Sequence, residues 1–514
     1  MSLRRIDESS GRNWFVWAAG AAALLVVIVR ATIQSITIDE ADTYLVFVAR
    51  PSPSHWFPAA NNHVLNSLLM RLSAAVFPPS ALTMRLPAVF GALIYISASG
   101  CLARCFPARR TFQSALFVSL VFCPFIMDYL VAARGYSLAL AFLMSSIAVA
   151  GCWMRFPAEV RLKRRSQLCA AISVCASLSF CANFSFAVAD LSVAVGLFLW
   201  ICDKRPVPRE IAAFIIPGAL VTFGLVGPTL WAWPKGELTW GARSFAEMRR
   251  SFVDASLSTP NPYLLNPWML ALFELLRRVL VRVAALCLLC RVIAIIWEAR
   301  SRHAERDWTD GLGLVAAAAI AVSLSAHLLA HRLWALPLPL NRTALFFFPL
   351  LILLMGCVGA APAYSTLGRV SAQAVLGVLL AFACYFFGCL RLTYFEEWKF
   401  DAQAKALYET LAHYNHVFGI TMVTANWRYQ TTLNCYMLLS GKETLADVTS
   451  ANLATGEYAA GFDAYVLYFP TDQGFIEKHA LKVTYYDPFT EAAVAVPSDS
   501  AAARAAERPH RPPP

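Results

Sequence analysis

Eleven apolar runs, most of them close to twenty residues long, recur through the first 391 positions of this 514-residue chain. A helix rises 1.5 Å per residue, so about 20 apolar residues cross the hydrocarbon layer of a membrane. Backbone inside that layer must satisfy its own hydrogen bonds, and continuous helices do so. The runs lie near 14–33, 86–103, 112–131, 135–154, 167–182, 185–202, 211–231, 277–297, 311–331, 343–361 and 371–391. The chain is 58% hydrophobic and 15% charged, against about 25% charged for an ordinary globular domain. The expected fold class is therefore mainly α, a polytopic bundle of about eleven membrane helices.

The net charge of +11 follows the same pattern. Most of the excess sits in alternate short loops: Arg4, Arg5, Arg12; Arg104, Arg109, Arg110; Arg155, Arg161, Lys163, Arg164, Arg165; Lys204, Arg205, Arg209; Arg300, Arg302, Arg306; and Arg369. Basic residues near span ends stay cytoplasmic. The sequence thus predicts a multi-pass protein of the inner (plasma) membrane with its amino terminus inside. The Asp39 loop, the loop 232–266 and everything after Tyr394 then lie outside. Nucleic-acid binding would place the charge on one exposed surface, so that class is excluded. The first span reads as retained, because its apolar run is long and no small-residue cleavage site follows it.

Thirteen of the fourteen cysteines fall within or beside apolar spans, where cysteine behaves as a small hydrophobe. Cys435 alone lies in the outer domain. Cys287 and Cys290 are spaced as a C-x-x-C within a helix and have no partner ligands nearby in sequence, so neither zinc nor a disulfide is expected.

Three parts are expected: a membrane domain, 1–393; an outer α/β domain, 394–495; and a disordered tail, 496–514, rich in Ala, Arg and Pro. In the first outer loop, 34–80, the stretch 64–77 has helical apolar spacing but is too short to span, which suits an amphipathic interfacial helix carrying Arg71. The second outer loop, 232–266, holds Trp233 and Trp240 and follows Trp231, residues that favour the headgroup layer. In the outer domain, 420–425, 464–470 and 482–486 read as strands and 427–439 as a helix.

Candidate chemistry gathers where spans meet the outer face. Asp39 and Glu40 follow the first span in an otherwise apolar stretch, which raises a carboxylate's pKa toward work as a base. Asn61, Asn62 and His63 follow in the same loop. Asp128 and Arg134 flank the turn between the third and fourth spans, and charge at membrane depth is by default a functional signal. They either pair with each other or leave Arg134 for an anion, with Tyr136 hydrogen-bonding nearby. Arg342 opens the tenth span, where a guanidinium can grip phosphate bidentately. Arg282 sits deep in the eighth span, whereas Arg291 can snorkel to the inner face. His327 and His331, four apart, share a helix face as metal ligands do, although hydrogen-bonded surface histidines have the same spacing.

These segments resemble the polytopic GT-C glycosyltransferases, family 39-like, especially bacterial relatives of protein O-mannosyltransferases and of the lipid A aminoarabinose transferase. The resemblance rests on IDEADTY, NNHVLNSLLMRL, TMRLPAVFGAL, AARGYSLALAF, NRTALFFFPLL and WKFDAQAKAL, in that order along residues 14–410. It implies transfer of a sugar from a polyprenyl-phosphate donor to a lipid, glycan or protein acceptor outside the membrane. It also implies Asp39 as catalytic residue, Glu40 as the second acid, His63 as the first-loop histidine, and Arg134 and Tyr136 as an Arg-x-Tyr motif. Val64 and Leu65 stand where relatives carry prolines. Some such enzymes use a divalent metal and others none, so the cofactor stays open. The competing reading is a lipid or solute transporter, whose usual internal repeats and midplane ion sites are not visible here. A non-catalytic receptor is a third.

Overall fold

The computed structural model describes residues 13–202, 206–301, 308–441, 445–450, 458 and 461–506. Arg4, Arg5, Arg12, Lys204, Arg205, Arg302, Arg306 and positions 507–514 of the tail lie outside the described residues. The chain divides into two compact units. One comprises Met1–Val29, Trp56–Leu69 and Leu86–Arg391; the other comprises Arg30–His55, Met70–Arg85 and Leu392–Pro514.

Among the described residues, ten helices are long and apolar enough to cross a membrane: Trp14–Ile33, Ala81–Cys105, Tyr136–Trp153, Ala158–Ala182, Phe184–Ile201, Pro208–Trp231, Pro267–Glu298, Trp308–Trp334, Asn341–Ala360 and Thr366–Gly388. The expected span at 112–131 is instead broken into Arg110–Val121 and Pro124–Tyr129. Pro124 explains the break, because the residue before a proline is pushed away from helical geometry. Cys123 accordingly sits at φ −55°, ψ 126°. Several helices outrun their apolar cores, since hydropathy cannot see helix that continues beyond the hydrocarbon. Pro267–Glu298 begins ten residues before the run at 277–297.

Burial sorts the spans. In Tyr136–Trp153 and Asn341–Ala360, 78% of the apolar window is buried, against 11% in Pro208–Trp231. The first two helices are thus central to their unit, and they open with Tyr136 and Asn341-Arg342. Loop 232–266 contains a helix, Phe245–Ser256, capped by Ser244, which accepts from Glu247 N. An antiparallel bridge joins Ala242 to Leu338, and Asn341 N donates to Ser251 Oγ at 3.1 Å. The loop is therefore fastened to the entry of the Asn341–Ala360 span.

In the other unit five strands form one sheet: β1 (Val423–Ala425), β2 (Thr449–Ser450), β3 (Ala464–Tyr468), β4 (Leu481–Asp487) and β5 (Ala492–Pro497). Their order is β2-β1-β3-β5-β4. β1 runs parallel to β2 and β3, whereas β5 runs antiparallel to β3 and β4. Helices Ala404–Phe418 and Trp427–Ser440 pack on it through Leu407, Leu411, Tyr429 and Leu433. The expected strands and the 427–439 helix are present, but the tail departs from expectation. Residues through Pro497 are strand, and Ala501–Ala506 is a helix whose Ala502 and Ala503 enter the core. Alanines too small to register as a hydrophobic run still fill gaps against a sheet.

Candidate functional site

In the unit that contains the sheet, the acidic pair lies on a short helix, Ile38–Thr43. Thr37 caps it: its Oγ1 accepts from Glu40 N, while Glu40 Oε2 accepts from Thr37 N at 3.0 Å. This reciprocal capping box satisfies two backbone donors at once. Glu40 is 1% exposed and is held by Arg85, whose Nε donates to Oε1 at 2.8 Å and whose Nη2 donates to Oε2 at 2.6 Å. The remaining Arg85 donors reach Ala31 O, Gln34 O and Ser35 O, carbonyls at or just past the end of helix Trp14–Ile33. One guanidinium thus neutralises Glu40 and closes the helix end, which otherwise leaves carbonyls without partners. Both Glu40 carboxylate oxygens are thus engaged within the protein.

Residues 34–38 are tied to the C-terminal part of the same unit. Gln34 Nε2 donates to Tyr394 O at 3.1 Å, Ser35 Oγ to Ala402 O at 2.8 Å, and Ile36 N to Tyr436 OH at 2.8 Å. Ile38 N donates to Asp401 Oδ2 at 2.8 Å. Asp401 is 1% exposed. Burial holds its carboxyl well above the ordinary range, and the charges of Asp39 and Glu40 push it further, against the bonds from Ile38 and Thr432. A raised pKa favours its protonated form. Of these three residues Asp39 alone is half-buried, and its Oδ2 lies out of reach of solvent.

In the helical unit, a second cluster forms around His63. The ring is buried, and neither ring nitrogen has a hydrogen-bond partner among the described residues. Burial holds the imidazole well below its ordinary value, and the charges of Arg134 and Arg342 reinforce this. A neutral imidazole therefore sits among guanidinium charges, one ring nitrogen carrying a proton to donate. Tyr136 packs on it at 5.5 Å between ring centroids and on Tyr129 at 4.9 Å.

Local backbone makes the cluster. Gly135 lies between Arg134 and Tyr136 at φ +75°, a region that disfavours side chains. A Cβ there would stand 2.1 Å from Ala182 O and 3.0 Å from His63 Cβ. Asn66 Nδ2 donates to Ala133 O at 3.0 Å, which fixes the helix Val64–Val76 to the same turn. Asn62 is wholly buried: its amide donates to Phe57 O at 2.8 Å and accepts from Ser67 Oγ at 3.0 Å, so it shapes the loop that presents His63. Arg342 is half-buried, with its guanidinium 5.6 Å from the Trp240 ring centre. Asp128 is buried on Pro124–Tyr129, six residues before Arg134.

Helix Pro267–Ser301 reverses the expected roles of its arginines. Arg282 is exposed, and Arg291 is wholly buried. Arg291 donates to the carbonyls of Val358, Gly368, Ala361 and Pro362. Nine residues are two and a half helical turns, so the two side chains lie on opposite faces. His327 Nδ1 donates to Ser323 O at 2.7 Å, and His331 Nδ1 to Leu336 O at 2.8 Å. No group of three metal-ligating side chains occurs among the described residues. At the acidic site Glu40 is committed to Arg85, and Asp401 accepts from Ile38 N and Thr432 Oγ1.

Two residues that hold the Ile38–Thr43 helix in place, Arg85 and Asp401, were not among the candidates. Arg85 lay within a segment quoted only for resemblance, yet a cation at the start of an apolar span was itself a signal. Asp401 likewise lay within a segment that carries the resemblance, WKFDAQAKAL, but its bond to Ile38, 363 positions earlier, left no local sign.

No family model matches the sequence, and no curated protein does. Two solved structures are similar to it. ArnT from Cupriavidus metallidurans in the apo state shares 13% identity at a TM-score of 0.43, and ArnT bound to undecaprenyl phosphate shares 13% at 0.44. Each match covers 92% of this chain and 96% of that chain.

Proposed function

We propose that this membrane protein transfers a sugar from a polyprenyl-phosphate carrier to a hydroxyl acceptor on the outer face. The observation that carries the reading is the His63 cluster. The charges of Arg134 and Arg342 both act on a buried imidazole whose ring nitrogens have no hydrogen-bond partner among the described residues, and Tyr136 and Asn341-Arg342 open the two spans with the highest buried share. An anion with several acceptor oxygens suits such a cluster, and phosphate matches the planar donors of arginine. An apolar tail on that phosphate would lie in the bilayer beside it.

The reaction follows from the groups available. The acceptor oxygen forms a bond to the anomeric carbon from the side opposite the phosphate. The bond from that carbon to the phosphate oxygen breaks, and its electron pair leaves with the phosphate. Arg134 and Arg342 stabilise the growing negative charge, so the leaving group needs no proton. The acceptor proton goes to Asp39, and the anomeric configuration inverts. Glu40 and Asp401 position Asp39: one anchors its helix to Arg85, the other holds the first turn from a neutral carboxyl.

Asp39→Asn keeps the capping box and the Arg85 pair while removing the base. Loss of a general base lowers rate about 10²–10⁴-fold. Mass spectrometry of surface glycolipids and glycoproteins should therefore show the modified product in cells with the wild-type chain and not in cells with the variant. Equal product in both would remove Asp39 from this role.

A further inference from the structure

The helical unit contains a second recess that the transfer chemistry does not use. Its volume is about 630 Å³, within the range of small-ligand pockets. Helices Ala81–Cys105, Tyr136–Trp153 and Ala158–Ala182 enclose it. Leu93, Ile94, Val149 and Trp153 give it an apolar wall, and Arg164 with Gln167 forms its polar end.

Two observations constrain the occupant. First, all three walls are membrane-crossing helices, and Leu93 and Val149 are 45% and 43% exposed, so the recess opens sideways to hydrocarbon. Second, its one lining cation, Arg164, is exposed and takes part in no described hydrogen bond or ion pair. Arg155, Arg161, Lys163 and Arg165 lie within ten residues of it in the sequence. A hydrocarbon trough ending in a guanidinium, beside a basic loop, complements a chain that ends in a phosphate. A lipid without phosphate would fill the trough and leave the cation unanswered, and a zwitterionic lipid would bring its own ammonium beside Arg164 and the basic loop, whereas an anionic phospholipid brings net negative charge. We propose that this recess binds an anionic phospholipid of the leaflet bordering the basic loops, with one acyl chain against Leu93 and Val149 and its phosphate on Arg164.

The test uses the full chain in vesicles of equal phosphatidylglycerol and phosphatidylcholine, extracted gently, with retained lipids identified by native mass spectrometry. Wild type should retain phosphatidylglycerol in preference. Removing one interfacial cation should reduce that preference about fivefold in Arg164→Ala. Ala98→Trp, which fills the trough from a half-exposed lining position, should displace the lipid outright. Arg369→Ala, an exposed arginine on another helix, should retain it unchanged. Undiminished preference in Arg164→Ala overturns the proposal. So does equal retention of both lipids by wild type, which makes the recess an ordinary crevice, and so does a lipid-free dimer, which makes it an interface between copies.

Discussion

At the scale of single residues, adjacent acids have opposite fates because their partners differ. Glu40 meets Arg85 in a pocket sealed from water, and Asp39 is half-buried. Removing one member of a buried pair leaves an uncompensated charge and costs about 3–5 kcal/mol. Arg85→Ala should therefore lower stability by that amount in denaturation, far more than Asp39→Asn; similar stabilities for the two variants would contradict the assignment. Asp401 makes a second prediction. Its carboxyl is raised when folded and titrates near about 3.9 when unfolded. Between those values the folded state binds more protons, so stability falls as pH rises through the window. Melting temperatures of wild type should decline relative to Asp401→Asn from about pH 4 upward, whereas parallel curves would show that Asp401 ionises freely.

Among the elements, the turn 130–135 does most to assemble the cationic cluster. The sequence shows Arg134 and Tyr136 at an expected spacing, but not that Gly135 adopts a left-handed conformation against Ala182 O. Gly135→Ala adds about 1–2 kcal/mol of backbone strain and forces the turn away from His63. Binding of a polyprenyl phosphate should fall sharply in that variant. It should persist in Gly224→Ala, where a Cβ meets nothing within 4 Å. Undiminished binding by Gly135→Ala would mean that the turn does not set the site. The helices that hydropathy located were legible because apolar length is a local property. The break at Pro124 was legible in principle too, from the proline itself. The phase of Arg282 and Arg291 was not, since it depends on which helices pack against Pro267–Ser301.

For the whole molecule, the division into units crosses the sequence order. Residues 30–55 and 70–85 join the C-terminal sheet unit, whereas 56–69 join the helical unit. The segment bearing Asp39 is thus fastened to residues 394–436 by side chains that a reading along the chain treats as unrelated. That is why the role of Asp401 beside Ile38 had no sign along the chain, whereas the acid pair, the histidine and the two arginines stood out by their polarity at span ends. Composition likewise assigned the membrane, but not the alanine-rich helix at 501–506.

The central claim is that Arg134, Arg342 and His63 hold the phosphate of a polyprenyl carrier while Asp39 serves only the acceptor. Equilibrium binding of a polyprenyl phosphate to wild type, to an Arg134→Ala/Arg342→Ala double variant and to Asp39→Asn tests it most directly. Binding should be lost in the double variant, where charge-assisted hydrogen bonds worth about 1.5–3 kcal/mol each are removed, and kept in Asp39→Asn. Wild-type affinity in the double variant would contradict it.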